Sequence, residues 1–145
     1  MKKIVSMVMA VVMMGALCLG FTGCGEKALE NLGAGNDYSV GVCQLMKHDA
    51  LDAATKGFED ALKAEMEKAG KTVTVNVQVA GETDKCGTIV NTFVASDVDL
   101  IMGNATPALL SAANATTEIP VLGTSVTDYA DTFGGNIPAN VTGTS

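Results

Sequence analysis

Hydrophobic and polar positions follow two alternating periods from residue 38 onward. Short apolar or strictly alternating segments predict β-strands, and between them apolar residues recur every three or four positions, as on the buried face of an amphipathic helix. The predicted strands are residues 38–43, 72–79, 98–102 and 119–123. The predicted helices are residues 49–69, residues 84–96 and a third that begins near Thr106. Strands and helices therefore alternate along the chain.

This alternation with short connections predicts an α/β protein with a parallel sheet covered on both faces. Right-handed crossovers favour a three-layer, doubly wound arrangement. Local signals support the helix ends: Asp49 and Asp52 give the first helix an acidic first turn, and Gly70 ends it. Thr106 as N-cap, with Pro107 at the first helical position, starts the third helix. Beyond Asp128 the pattern decays, and no further helix or strand is predicted.

The first residues have the layout of an export signal. Lys2 and Lys3 precede an uncharged apolar run over residues 4–21, and small residues lead into Cys24. The ending resembles the lipobox of bacterial lipoproteins, with Cys24 as the lipidated residue. The predicted organisation is a signal peptide over 1–23, a flexible tether over 24–37 and one domain over 38–145. An uncleaved membrane anchor and a plain secretory signal are the alternatives.

Charge and composition narrow the choice of partners. The formal net charge is −7, so the chain should not seek nucleic acid or anionic lipid surfaces. The sequence contains no arginine and no tryptophan. A bound anion would therefore meet backbone N–H groups, hydroxyls or a lysine.

The candidate ligand-binding residues lie in three loops. In open parallel sheets ligands bind beyond the carboxyl ends of the strands, which selects residues 44–48, 103–106 and 124–128. Thr106, with its hydroxyl and a helix N-terminus, suits a ligand carboxylate, and Asp128 suits a ligand ammonium. Helix capping and turn formation are the alternative roles. The full set is Gln44, His48, Asn104, Ala105, Thr106, Thr124, Ser125, Thr127 and Asp128.

Motifs for catalysis are absent from the sequence, which has no P-loop, no dinucleotide fingerprint and no cysteine/histidine cluster of the metal-binding type. We therefore expect no enzyme activity, no cofactor and no metal. The alternative is a membrane-tethered thiol or redox enzyme that uses Cys43 and His48. Cys43 and Cys86 could form a disulfide or stay as buried thiols.

Several motifs together resemble one family, the substrate-binding lipoproteins of ABC transporters, in the branch associated with aromatic amino acids. The matching segments are VGVCQL (40–45) with His48, ALDAATKGF (50–58), VDLI (98–101), ATPA (105–108), IPV (119–121), SVTD (125–128) and NVTGTS (140–145). Their order and spacing agree from residue 38 to the end.

The resemblance implies a type I periplasmic-binding-protein fold that closes two lobes on a small amino-acid-like ligand. It implies a permease and an ATPase as partners, and an extracytoplasmic, lipid-anchored location at the bacterial cell membrane. Gln44, Thr106, Ser125 and Asp128 would then face the cleft. Family members are roughly double this length, so the resemblance implies the first lobe of a truncated protein, with weak or absent binding by this chain alone. A non-functional remnant is the other possibility.

Overall fold

The computed structural model describes residues 37–145, so the predicted signal peptide and nearly all of the predicted tether lie outside the described residues. Nine elements follow one another along the described part of the chain. They are β1 (Asp37–Gln44), α1 (Asp49–Lys68), β2 (Thr72–Val79), α2 (Thr83–Ala95), β3 (Leu100–Asn104), α3 (Thr106–Ala115), β4 (Val121–Thr124), α4 (Tyr129–Thr132) and β5 (Val141–Gly143).

The strands form one parallel sheet in the order β2-β1-β3-β4-β5. The chain runs outward from β1 to β2 and then returns to the other side of β1 to form β3. The strand order therefore reverses between β1 and β3, which is the point where doubly wound sheets bind ligands. The predicted α/β fold class with a doubly wound parallel sheet is confirmed.

Helix α1 covers one face of the sheet. Val40, Val42 and Met102 are buried on that face, and Phe58 and Leu62 of α1 pack against them. These two α1 residues are four positions apart, so they lie on the same side of the helix. The periodicity that predicted the helix is therefore the periodicity of its packing face.

Helices α2 and α3 cover the opposite face, which completes the three layers. Both approach the strands closely at glycines. A Cβ at Gly41 would lie 2.5 Å from the ring of Phe93, and a Cβ at Gly103 would lie 2.6 Å from the backbone of Leu109. The close packing of α2 and α3 on the sheet therefore requires glycine at these two strand positions.

Strands β3 and β4 begin two residues later than the sequence pattern predicted. Pro120 has no N–H to donate to the ladder, and the Ile119 N–H donates to Thr116 Oγ1 at 3.1 Å instead. Both strands also end later than predicted: Asn104 and Thr124 are paired in the ladder and are the last residues of strands rather than loop residues. The predicted N-cap of α3 was also wrong by one position: Ala105 is the N-cap, and Thr106 is the first helical residue.

Two elements were missing from the prediction, the one-turn helix α4 and the three-residue strand β5. Both are too short to display a period. Strand β5 is held by the Val121 N–H donating to Asn140 O at 2.8 Å and the Thr144 N–H donating to Gly123 O at 3.0 Å. Within residues 37–145 no helix has the length and apolarity needed to cross a membrane.

Candidate ligand-binding site at the carboxyl edge of the sheet

The three predicted loops meet at one edge of the sheet. The Leu45 N–H donates to Asn104 O at 3.2 Å, and the Ala105 N–H donates to Thr124 O at 3.0 Å. Gln44, Asn104 and Thr124 also lie side by side in the strand register. The fold therefore brings together residues that are far apart in sequence.

Gln44 is the centre of a buried hydrogen-bond network, with 1% of its surface exposed. Its Oε1 accepts from the Thr55 hydroxyl at 2.7 Å. Its Nε2 donates to Asp52 Oδ1 at 2.6 Å and to Met46 O at 2.8 Å. Because the amide is fully engaged inside the domain, Gln44 connects β1 to α1 and fixes the loop that follows it.

Asn104 makes the matching connection from β3. It is fully buried, and its Nδ2 donates to Thr55 Oγ1 at 2.9 Å and to Leu51 O at 2.8 Å. Its Oδ1 is buried without a hydrogen-bond partner. The hydroxyl of Thr55 thus joins the two strands that flank the switch point.

Asp52 extends this network to the surface. Donation from the Gln44 amide, aided by the charge of Lys47, holds the pKa of the Asp52 carboxyl below its usual value of 3.8. The Lys47 Nζ lies 3.7 Å from Asp52 Oδ2. The carboxylate form is therefore favoured by the folded geometry.

Asp52 and Thr55 were not among the predicted site residues, although the sequence carried a signal for Thr55. It occurs in α1 four residues after Leu51 and three before Phe58, inside the stripe of apolar positions. A hydroxyl within such a stripe needs a buried hydrogen-bond partner.

The N-terminus of α3 is shaped by an unusual backbone. Ala105 has φ +87° and ψ +153°, a conformation that favours glycine. Across the edge, Ser125 has φ +56°. Thr106, half-buried, then begins the ten-residue helix α3, whose first N–H groups have no intrahelical acceptors. Both loops that border the α3 N-terminus are thus held in uncommon conformations.

The loop after β4 adds hydroxyl and carboxylate groups. The Thr124 Oγ1 lies 3.3 Å from Thr144 Oγ1, and Thr127 is exposed. Asp128 caps α4 through Oδ1, which accepts from the Asp131 N–H at 2.9 Å. Asp128 is exposed, so the cap uses only part of its hydrogen-bonding capacity.

The fold agrees with the comparison with known proteins. A family model described as ABC transporter substrate binding protein matches residues 39–145. The chain belongs to this family. The match includes β2 to β5 entirely and β1 except for its first two residues, so it comprises the three loops of the candidate site.

One relative within the substrate-binding family is named for an amino acid. A protein named Tyrosine-binding protein, from Clostridioides difficile strain R20291, is 35% identical over 135 residues, which is 88% of this chain and 38% of that protein. This chain therefore spans well under half the length of that relative.

Two solved structures of substrate-binding proteins share this fold. One is the ligand-free, open structure of a substrate binding protein with adhesive properties from Clostridium difficile, with a TM-score of 0.66, 35% identity, and coverage of 74% of this chain and 38% of that one. The other is the ABC domain in complex with L-Trp from Streptococcus pneumonia, with a TM-score of 0.63, 34% identity, and coverage of 75% and 38%.

The two cysteines within residues 37–145, Cys43 and Cys86, are buried free thiols. Burial, and then the neighbouring Cys86 thiol, raise the pKa of Cys43 to about 12. His48 is exposed and caps α1, where its Nδ1 accepts from the Ala50 N–H at 3.2 Å. A nucleophilic cysteine needs a lowered pKa and an adjacent base, so this geometry opposes the thiol-enzyme alternative. Among residues 37–145 no group of three metal-ligating side chains occurs.

Proposed function

We propose that this chain supplies the ligand-capturing edge of an ABC importer's substrate-binding protein, and that its ligand is an aromatic amino acid. The observation that carries the proposal is the meeting of the α3 N-terminus with the 124–128 loop, joined by the bond from the Ala105 N–H to Thr124 O. In this proposal the N-terminus of α3 supplies donors for a carboxylate, and Asp128 of the adjoining loop supplies the acid for an ammonium. The tyrosine and tryptophan named for the two relatives support the aromatic class.

The two charged groups of an amino acid match the N-terminus of α3 and the 124–128 loop. The first N–H groups of α3 and the Thr106 hydroxyl would hold the ligand carboxylate, because a helix N-terminus attracts anions. The chain has no arginine, and in this proposal backbone N–H groups and a hydroxyl take that role. The Asp128 carboxylate would hold the ammonium. Ser125 and Thr127 add exposed hydroxyls beside them.

Gln44 and Asn104 have a different role in this proposal. Their amides are buried and bonded to α1, so they position the strand ends without touching the ligand. His48 likewise serves α1 as its cap.

We also propose transporter partners and an extracytoplasmic location for this protein. Substrate-binding proteins of this family work outside the cytoplasmic membrane and deliver their ligand to a permease driven by an ATPase.

Cys24, in the lipobox-like segment, would carry the lipid anchor. Cys24→Ala should move the protein from the membrane fraction to the medium or the soluble fraction. Retention of Cys24→Ala in the membrane would contradict lipid anchoring.

Ligand binding can be measured through tryptophan fluorescence, since the chain itself contains no tryptophan. L-tryptophan emission should shift to shorter wavelength in a saturable way, and L-tyrosine should compete whereas L-leucine should not. Thr106→Val and Asp128→Asn should each raise Kd about tenfold, the cost of one charge-assisted hydrogen bond.

The matched controls are Thr88→Val and Asp84→Asn, which alter exposed residues of α2. These variants should bind as the unmodified chain does. Unchanged affinity in both Thr106→Val and Asp128→Asn would overturn the proposed site. Failure of every amino acid to compete would overturn the proposed ligand class.

A further inference from the structure

Strand β2 is an outer strand of the sheet, and no described element pairs with its outer side. The Ala80 N–H donates to Gln44 O at 2.8 Å, which shows that even-numbered residues direct their backbone groups toward β1. Backbone groups alternate in direction along a strand. The N–H and C=O groups of Val73, Val75 and Val77 therefore point away from the sheet.

The sequence of this edge lacks the usual protection against pairing. Outer strands are normally blunted by proline, by inward-pointing charge, or by shortness. Strand β2 reads TVTVNVQV over Thr72–Val79, with eight residues, no proline, no charge and four valines. Within residues 37–145 the outward backbone groups of Val73, Val75 and Val77 are thus available to pair with another strand.

Strand β2 of a second copy can pair with the outer side of this strand. If two β2 strands pair antiparallel with a two-fold axis at Val75, then Val75 faces Val75 and Val73 faces Val77 of the other copy. All of these residues have outward backbone groups, so they form the hydrogen-bonded pairs of an antiparallel ladder. The same register keeps the valines of both copies on one face of a continuous sheet.

A groove beside β2 fits this arrangement. It has a volume of about 440 Å³, lies between the end of α1 and the start of β2, and is lined by residues that include Met66, Lys71 and Val73. Val79, on the same face of β2 as Val73, is 41% exposed. In the two-fold register Val79 of one copy stands opposite Lys71 of the other. An exposed valine thus meets a groove whose apolar side chains are Met66 and Val73 and whose remaining lining includes Lys63, Glu67 and Lys71.

Charge is also complementary at the ends of the strand. Lys71, whose ammonium donates to the Tyr38 hydroxyl at 3.0 Å, immediately precedes β2. Two acids, Glu82 and Asp84, and one base, Lys85, follow the strand, and Glu82 and Lys85 form an ion pair at 3.2 Å, so the charge at this end is net negative. Antiparallel pairing brings the basic end of one strand to the acidic end of the other, twice per dimer. Such an arrangement favours the antiparallel register over a parallel one.

We propose that the chain forms a homodimer through edge-to-edge pairing of β2, with Val75 on the two-fold axis and Val79 of each copy at the groove of the other. The partner is a second copy because the hydrogen-bonding pattern, the groove and the charges are all self-complementary about one axis. The pairing joins two five-stranded sheets into one.

The test is a disulfide cross-link in bacteria that express the full chain. Val75→Cys places two thiols across the axis at a Cα separation of about 5.5 Å, which a disulfide can span. A mild thiol oxidant such as copper phenanthroline should take two electrons and two protons from the thiols and form a reducible dimer. Thr88→Cys, on exposed α2, is the matched control and should stay monomeric.

A second substitution on the Val75→Cys background tests the register. Val79→Lys faces Lys71 of the other copy and should reduce the cross-linked fraction about tenfold, whereas Val79→Glu should preserve it. Val79 is exposed, so neither change disturbs the core. Equal cross-linking of Val79→Lys and Val79→Glu would overturn the register. A band whose mass is not twice that of the chain, or no band above the Thr88→Cys control, would overturn the homodimer.

Discussion

Ala105 is the residue whose backbone conformation is most clearly strained. Its N–H donates to Thr124 O and its carbonyl accepts from the Leu109 N–H, both at 3.0 Å. These two bonds hold it at φ +87°, where a Cβ is unfavourable by about 1–3 kcal/mol. The strain lies at the N-terminus of α3, so it belongs to the proposed carboxylate-binding position.

Ala105→Gly should increase the free energy of unfolding by about 1 kcal/mol, because relief of strain outweighs the greater entropy of glycine in the unfolded chain. Ala53→Gly, at an exposed position within α1, should lower it by about 1 kcal/mol. Denaturant titration of both variants compares the same chemical change in two conformations. A loss of stability in Ala105→Gly would contradict the strain at this residue.

Asp52 makes the stability of the fold depend on pH. Its pKa is lowered in the folded state by donation from Gln44 and by the charge of Lys47, so its contribution is present above the unfolded pKa and is lost as pH falls through the folded value. The stability difference between the unmodified chain and Asp52→Asn should therefore be constant near pH 6 and shrink as the pH falls below 3.8.

Urea unfolding at several acidic pH values measures this difference. Asp84→Asn, on the exposed start of α2, serves as the matched control. A pH-independent difference for Asp52→Asn would contradict the role assigned to the Gln44 contact.

At the scale of elements, the close approach of α3 to β3 requires a glycine at position 103. A Cβ at Gly103 would lie 2.6 Å from both N and Cα of Leu109, and backbone atoms cannot move aside as a flexible side chain can. The helix that begins at the proposed site is therefore held at a distance set by Gly103.

Gly103→Ala should destabilise the fold by about 1–3 kcal/mol, because α3 must move outward from the sheet. It should also weaken ligand binding, since the N-terminus of α3 moves with the helix. Gly57→Ala is the matched control: nothing lies within 4 Å of its added Cβ, and it lies inside α1. It should raise stability by about 0.5–1 kcal/mol. Thermal unfolding that ranks Gly103→Ala at or above Gly57→Ala would contradict this account.

The elements with several turns or alternations were predictable because their packing faces repeat. Thr55 was missed because its partners, Gln44 and Asn104, come from two strands whose adjacency exists only in the folded sheet. Strand β5 was missed because its three residues are specified by pairing with β4 and not by their own pattern. The three site loops were predictable in position, since the carboxyl edge follows from a parallel sheet, but the bonds within them were not.

At the scale of the whole molecule, the described residues supply the proposed binding edge from a single sheet. The chain spans 38% of the tyrosine-binding relative, and affinity in a cleft grows with the ligand surface that is enclosed. We expect a polypeptide of these 145 residues, tested alone, to bind L-tyrosine at least about a hundredfold more weakly than the full-length relative does, a loss of roughly 2.7 kcal/mol. Parallel calorimetric titrations measure both affinities, and equal values would contradict the expectation.

The hydroxyl that joins Gln44 to Asn104 also constrains how this sequence can change. Thr55 accepts from the Asn104 amide and donates to the Gln44 amide, so replacement of Thr55 leaves both amides short of a partner, and replacement of either amide leaves the Thr55 hydroxyl short of one. Simultaneous replacement by apolar residues of similar shape removes the penalty among these three side chains. Descendants of this protein should therefore keep all three residues or exchange them together, so that substitutions at these positions are inherited as a set.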